Sequence, residues 1–235
     1  GALRNNTTAS NNTAVGYQAL YSNTTGQLNT AIGYHALRAN SADTYCTALG
    51  ARTLTSNTTG SENVAAGDLS LYSNTIGSYN TAYGNRSLHL NTTASNNTAV
   101  GYQAGYNGTT GPGNTYIGYL AGYSGTVADY NVAVGQTAGY SLTSGTRNTF
   151  VGVDSGYHVS SGTRNTIIGR YNGNQGGLDI RTASNYIVLS DGDGNPRLIS
   201  NSTGNWGAGV SPDGIGGAGL ARFSAKTDNV GHFAA

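Results

Sequence analysis

Asp191-Gly192-Asp193-Gly194-Asn195 is the run whose residue types come nearest to a metal site, because alternating Asp and Gly is how a calcium loop begins. An EF-hand loop needs Gly at its sixth position and Glu at its twelfth. Counted from Asp191, those places hold Pro196 and Ser202. A tight turn between two strands accounts for the same residues. His35, His89, His158 and His232 share no metal-ligand spacing. Glycan hydrolysis needs two carboxylates across the scissile bond, but the ten acidic residues are scattered and Glu62 is the only glutamate. Cys46 is the single cysteine, so no intrachain disulfide framework exists. It reads as a small buried residue, with an interchain disulfide as the one other option. Asn23-Thr24-Thr25 and Asn57-Thr58-Thr59 match the glycosylation acceptor pattern, but they follow from a recurring turn. No catalytic, cofactor-binding or metal-binding residue is therefore assigned, no cofactor and no enzyme activity are expected, and the receptor-binding residues are left open.

The elements that carry these residues repeat. Gly16, Gly33, Gly50, Gly67, Gly84, Gly101, Gly118, Gly135, Gly152 and Gly169 are each 17 residues apart without insertion or deletion. Four residues before each Gly stands Asn, from Asn12 to Asn165, except that Cys46 takes the place once. The next residue is Thr, with Val64 and Val132 as exceptions. The residue just before the Gly is almost always apolar: Val15, Ile32, Leu49, Ala66, Tyr83, Val100, Ile117, Val134, Val151 and Ile168. A polar turn such as Ser22-Asn23-Thr24-Thr25-Gly26 closes the unit. Residues Asn6 to Ala19 are identical to Asn91 to Ala104, five repeats later, as duplication would leave them.

A 17-residue period is too short for helix-pair repeats, which need more than about 30 residues. The apolar segments are short, β-branched and bounded by Gly, Asn and Ser, which is a strand signature. The expectation is an all-β fold: a parallel β-solenoid in which each coil sits on the one before it. Equivalent residues then form ladders about 4.8 Å apart, and ten coils make a rod roughly 48 Å long. Asn side chains can hydrogen-bond along such a ladder, and the marker Gly fits a bend or a close backbone approach. The row before the Gly is expected to face the inside of its coil. The preceding row, from Ala14 to Phe150 and Ile167, is then expected to point outward against identical chains. Cyclic symmetry suits a rod of strands that all run one way. Four residues after the marker Gly, Leu20, Leu37, Leu54, Leu71 and Leu88 give way to Gly105, Gly122, Gly139, Gly156 and Gly173, so the rod is expected to narrow, or its subunits to approach, beyond residue 100. The next row (Tyr21, Tyr72, Tyr106, Tyr123, Tyr140, Tyr157) reads as a stacking ladder rather than a sugar-binding stripe.

Composition excludes several partners. Charged residues are 9 % of the chain and the net charge is +1, so the basic surface that nucleic acid requires is missing. No apolar run is long enough to span a membrane, and no membrane insertion is expected. The 17 tyrosines in register argue against disorder. Ala2-Leu3-Arg4 aligns with Ala36-Leu37-Arg38, so the chain opens inside a repeat and is expected to be a fragment or a processed form.

The unit Asn97-Thr98-Ala99-Val100-Gly101-Tyr102-Gln103-Ala104 resembles the head repeats of trimeric autotransporter adhesins, whose signature is Asn-Ser-x-Ala-x-Gly. Ala14, Val15, Gly16 and their equivalents fall on Ala-x-Gly. The unit is still more similar to repeats of bacteriophage tail fibres, where such segments precede stretches like Leu178 to Thr182 and Ile187 to Arg197. The period is longer than in the adhesin heads, and the Asn lies one place closer to the Gly. No segment resembles a membrane-anchor barrel or the self-cleaving chaperone domain that ends many phage fibres. The resemblance implies a homotrimeric left-handed β-roll, located in a virion tail fibre or on a cell surface. Its partners would be its own copies, a host glycan or protein receptor, and other fibre or baseplate proteins.

The expected organisation is a repeat shaft over 1–175, a short-strand β cap over 176–210, and a Gly/Ala-rich tail or linker over 211–235. The expected function is attachment by a structural fibre, with a bacterial surface adhesin or extracellular filament as the alternative. An ice-binding solenoid is more distant, because the residue two after each Thr is apolar and a paired Thr array is missing.

Overall fold

The structure is a computed structural model that describes residues 1–209 and the short strand Arg222–Phe223. Apart from that strand, the tail expected over 211–235 lies outside the described residues.

Ten strands of three residues each, β1 to β10, recur at the 17-residue spacing from Thr13–Val15 (β1) to Thr166–Ile168 (β10). Each pairs in parallel with the next, and equivalent residues stand opposite one another: Thr13 with Thr30, Ala14 with Ala31, Val15 with Ile32. The chain is a parallel β-solenoid with one short strand per coil. The marker Gly ends each strand. Gly118 has φ +137, and a Cβ there would lie 2.4 Å from the carbonyl oxygen of Gly135 in the next coil. No residue with a side chain fits that approach, which explains why the spacing holds without exception.

After the Gly the backbone alternates hand. Gln18 and Leu20 have φ of 54° and 49°, and their equivalents repeat this coil after coil. Alternation points successive N–H groups along the rod in opposite directions. Leu20 N–H donates to Ala36 O at 3.0 Å, and His35 N–H donates back to Tyr17 O at 2.9 Å. The turn side of the coil is thus hydrogen-bonded to its neighbours as the strand side is, and little buried backbone is left unpaired.

The core is thin. It holds the row from Ala31 to Ile167, the Leu20-to-Leu88 row across from it, and the ladder Asn row. Asn29 N–H donates to Asn12 Oδ1 at 2.9 Å, while Asn12 Nδ2 donates to Gly26 O at 2.8 Å, and the pattern continues to Tyr186 N–H on Asn165 Oδ1.

Two expectations are corrected here. The row before the Gly faces outward, not inward: Val15 is 57 % exposed, whereas Ala31, of the preceding row, is fully buried. The reason is the Asn ladder. Its amide is spent inside the coil, so alternation puts the residue two later inside and the residue three later outside. Secondly, the change from Leu to Gly beyond residue 100 is a core repair. Tyr116 and Phe150 replace the small inward Ala, and they fill the space that Leu fills in earlier coils. A Cβ on Gly122 would lie 2.4 Å from the Tyr116 ring, and one on Gly156 would lie 2.8 Å from the Phe150 ring.

The spacing breaks after β10. A two-stranded antiparallel hairpin, β11 (Asn174–Gln175) and β12 (Leu178–Asp179), bulges from the eleventh coil. The next parallel strand is β13 (Ile187–Ser190), 21 residues on from its partner, with Thr166 opposite Ile187. Ser190 stands where the marker Gly would be, so the sheet runs one strand past the expected end of the shaft. It then turns antiparallel through β14 (Pro196–Ser200), β15 (Trp206–Ala208) and β16 (Arg222–Phe223). This change of direction blocks addition of another identical coil. Among the described residues no helix is long and apolar enough to cross a membrane.

Candidate interaction face

The outward side chains of the ten strands form two straight rows. One is the Thr row, with Val64 and Val132 interrupting it; the other is Val15, Ile32, Leu49, Ala66, Tyr83, Val100, Ile117, Val134, Val151 and Ile168. Neither contains a charged residue. The second row continues onto β13 with Leu189, beside Ile187 on the first. Flanking rows add exposed aromatics: Tyr45, Tyr79 and Tyr130 on one side, Tyr17, Tyr34, Tyr102 and Tyr119 on the other. Tyr17 stacks on Tyr34 at 5.7 Å, and Tyr102 on Tyr119 at 5.6 Å. The two central rows are therefore straight, uncharged and as long as the rod, one apolar and the other mostly Thr, while the flanking rows also carry Glu62, Arg147 and Arg164 on one side and Asp68 and Arg170 on the other. At about 48 Å by about 10 Å the two rows cover on the order of 500 Å², roughly half of it from the apolar row. Register produces it: with no insertion in ten coils, one apolar residue per coil becomes one continuous line.

The other Tyr row packs differently. Tyr72, His89, Tyr106, Tyr123, Tyr140 and Tyr157 form one continuous stack with centroids 4.9 to 5.3 Å apart. Interior rings have both faces covered by neighbours, so no face is free to take the C–H face of a sugar. This supports the stacking ladder over the sugar stripe.

The residues singled out in the sequence fall in several places. Asp191 Oδ1 accepts from the N–H of Asp193 and Asn195 at 3.0 and 2.9 Å, and Arg197 donates to Oδ2. These donors, the Asn195 N–H foremost, hold the carboxyl down at about 2. The run is a turn joining β13 to β14, with its first carboxylate already engaged. Among the described residues no three His, Cys, Asp or Glu side chains come together to hold a metal. His89 belongs to the ring stack, His35 stacks on Tyr34 at 3.8 Å, His158 stands edge-on to Tyr157, and His232 lies outside the described residues.

Asn23 and Asn57 are fully buried and belong to a second Asn ladder, in which Asn74 Nδ2 donates to Asn57 Oδ1 at 2.6 Å. Glycosylation of the folded chain at these positions is sterically closed. The cue for this ladder was the recurring Asn23, Asn40, Asn57, Asn74, Asn91 at the rod's own spacing.

Cys46 is buried in the first ladder, where its Sγ lies 3.2 Å from Gly60 O, and burial pushes its thiol up to about 12. A fully buried sulfur inside its own coil cannot reach another chain, so the interchain disulfide is closed off. Beside it lies Asp43, a buried carboxyl that sequence reasoning passed over. It stands where neighbouring repeats have Gly26 and Gly60, and it accepts from Asn57 Nδ2. Burial raises it to about 7 against the opposing effect of its hydrogen bonds.

Comparisons with protein-family models, with curated proteins and with solved structures give no match.

Proposed function

We propose that the chain is the shaft of a homotrimeric adhesive fibre of the phage tail-fibre type, whose copies pack along the outward strand face. The observation that carries this reading is the uncharged row from Val15 to Ile168, continued by Leu189. Leaving so long an apolar strip in water is costly, at about 25 cal/mol per Å². Parallel strands in register let identical chains cover it by rotation about an axis along the rod. The three-fold number rests on the resemblance to adhesin-head and tail-fibre repeats. A rod of this kind displays identical surfaces in triplicate, so weak receptor contacts gain avidity. Its site of action would be a virion fibre or a cell surface, and its partners its own copies, a host receptor and neighbouring fibre proteins.

Light scattering of the native particle tests this. We expect a mass near three chains, and a fall to one chain for Ile117→Asp combined with Val134→Asp, with the β-sheet circular dichroism kept. A single-chain mass for the unsubstituted protein would overturn the oligomer. It would also bring forward a second reading, because the Thr row and the apolar row share one flat outward face: a monomeric ice-binding solenoid, detectable as thermal hysteresis.

A further inference from the structure

Most of the rod consumes its polar side chains in its own ladders. A polar cleft of about 370 Å³ breaks this rule where the hairpin β11–β12 leaves the rod. Tyr157 and His158 form one wall, Asn172 lies on the following coil, and Asp193 reaches in from the turn between β13 and β14. Gln175 Nε2 donates to Asp193 O at 2.8 Å and holds that turn against β11.

Three groups in the cleft are unspent. The Asp193 carboxylate, the His158 imidazole and the Tyr157 hydroxyl make no hydrogen bond among the described residues. Tyr157 is also the last ring of the six-ring stack, and beyond it the His158 ring stands edge-on at 4.8 Å, so the two rings meet at the cleft wall. Asp154 is engaged: Arg170 donates to Oδ2 at 3.2 Å and Thr137 to Oδ1 at 2.6 Å. This pair cancels its own charge and leaves the cleft with the negative charge of Asp193.

We infer that this cleft binds one neutral pyranose unit of a glycan, with Asp193 and His158 reading vicinal hydroxyls and Tyr157 flanking the ring. A carboxylate, an imidazole and a phenol together supply the acceptors and donors that a diol requires. The remaining charge repels sialate, uronate and phosphate. The volume suits a small ligand, and the commitment of Asp154 to Arg170 and Thr137 fits binding without hydrolysis. The inference deepens the adhesive reading, on which its biological role rests, by placing one receptor contact on each chain.

Saturation-transfer NMR on the whole 235-residue chain tests it. The probes are the methyl glycosides of glucose, galactose, mannose and N-acetylglucosamine, with N-acetylneuraminic acid as the anionic comparison. We expect transfer to at least one neutral glycoside and little to the acid. That transfer should fall at least about fivefold, on the order of 1 kcal/mol, in Asp193→Ala and in His158→Ala. Tyr34→Ala, far along the rod, should leave it unchanged. No transfer to any neutral probe, stronger transfer to the acid, or transfer that survives both substitutions would overturn the site. Attachment of the chain to bacterial cells separates the two readings. Attachment unaffected by Asp193→Ala overturns the cleft as the receptor contact while leaving adhesion standing. Sugar transfer that depends on Asp193, without attachment to cells, supports the cleft and sinks the adhesive role.

Discussion

At the scale of the residue, the marker Gly and Asp43 make opposite demands. Gly118→Ala would force a Cβ to within 2.4 Å of a backbone oxygen at a positive φ. Backbone cannot move aside as a side-chain tip can, so we expect a loss of about 2–4 kcal/mol, read as a lower midpoint in urea. Gly192→Ala, with nothing near its Cβ, should change stability by less than about 0.5 kcal/mol. Asp43 gives the third coil a pH dependence. Its folded pKa is raised to about 7, above the unfolded value, so the folded state holds a proton that the unfolded state has released. The stability this contributes is fully present below about pH 4 and is lost as pH rises through about 7, the reverse of a carboxylate whose pKa is lowered by pairing in the folded state. Thermal melts at acid and alkaline pH should therefore show loss on the alkaline side. In Asp43→Asn this loss should vanish, since an amide cannot ionise, and its persistence would mean that another group is responsible.

The element is the coil, and its interior is a fixed volume that two rows share. Early coils fill it with Ala and Leu; later coils fill it with Tyr116 or Phe150 and Gly. Gly122→Leu alone should be strongly destabilising, by about 3 kcal/mol or more, because the Tyr116 ring already occupies the site. Tyr116→Ala alone should cost about 3–5 kcal/mol by leaving a void. Tyr116→Ala together with Gly105→Leu and Gly122→Leu rebuilds the early core and should recover much of both losses. A coupling energy near zero in that cycle would show that the two rows do not share space. The backbone takes part as well. Leu20 and its equivalents hold φ near 50°, a costly conformation for a branched side chain, and Gly105 and its successors remove that cost.

At the scale of the whole molecule, hydrogen-bond ladders, ring stacks and a narrow apolar core hold the rod, and charge contributes little. The four ion pairs among the described residues lie at the surface, where water and salt screen them. We expect the melting temperature to shift little between low and high salt, and a sharp fall in salt would contradict this account. Because each coil touches only its neighbours, a defect such as Gly118→Ala should open the rod locally, with hydrogen exchange rising in adjacent coils before distant ones.

The solenoid was legible in the sequence because its cause is local and repeated. A Gly that no side chain can replace, an Asn four residues earlier and an unbroken 17-residue spacing leave stacking as the only way to satisfy every coil alike. The strands after the shaft were legible for the same reason: short apolar runs between turn residues announce themselves. The phase of the strand was not. Both candidate rows are small or apolar, and alternation says only that they face opposite ways. Deciding which faces inward needs one fixed point. The buried Asn amide supplies it, and its burial shows only once the coils are stacked. The meaning of the Leu-to-Gly change was hidden likewise, since Tyr116 and Gly122 meet across a coil and not along the chain. The polar cleft lay further still from the sequence's reach. Its walls come from residues 154 to 193, which the hairpin β11–β12 draws together where the repeat ends. Periodicity determined the fold, because every coil solves the same problem. Tertiary structure decided the faces and the cleft, because those depend on which side chains meet.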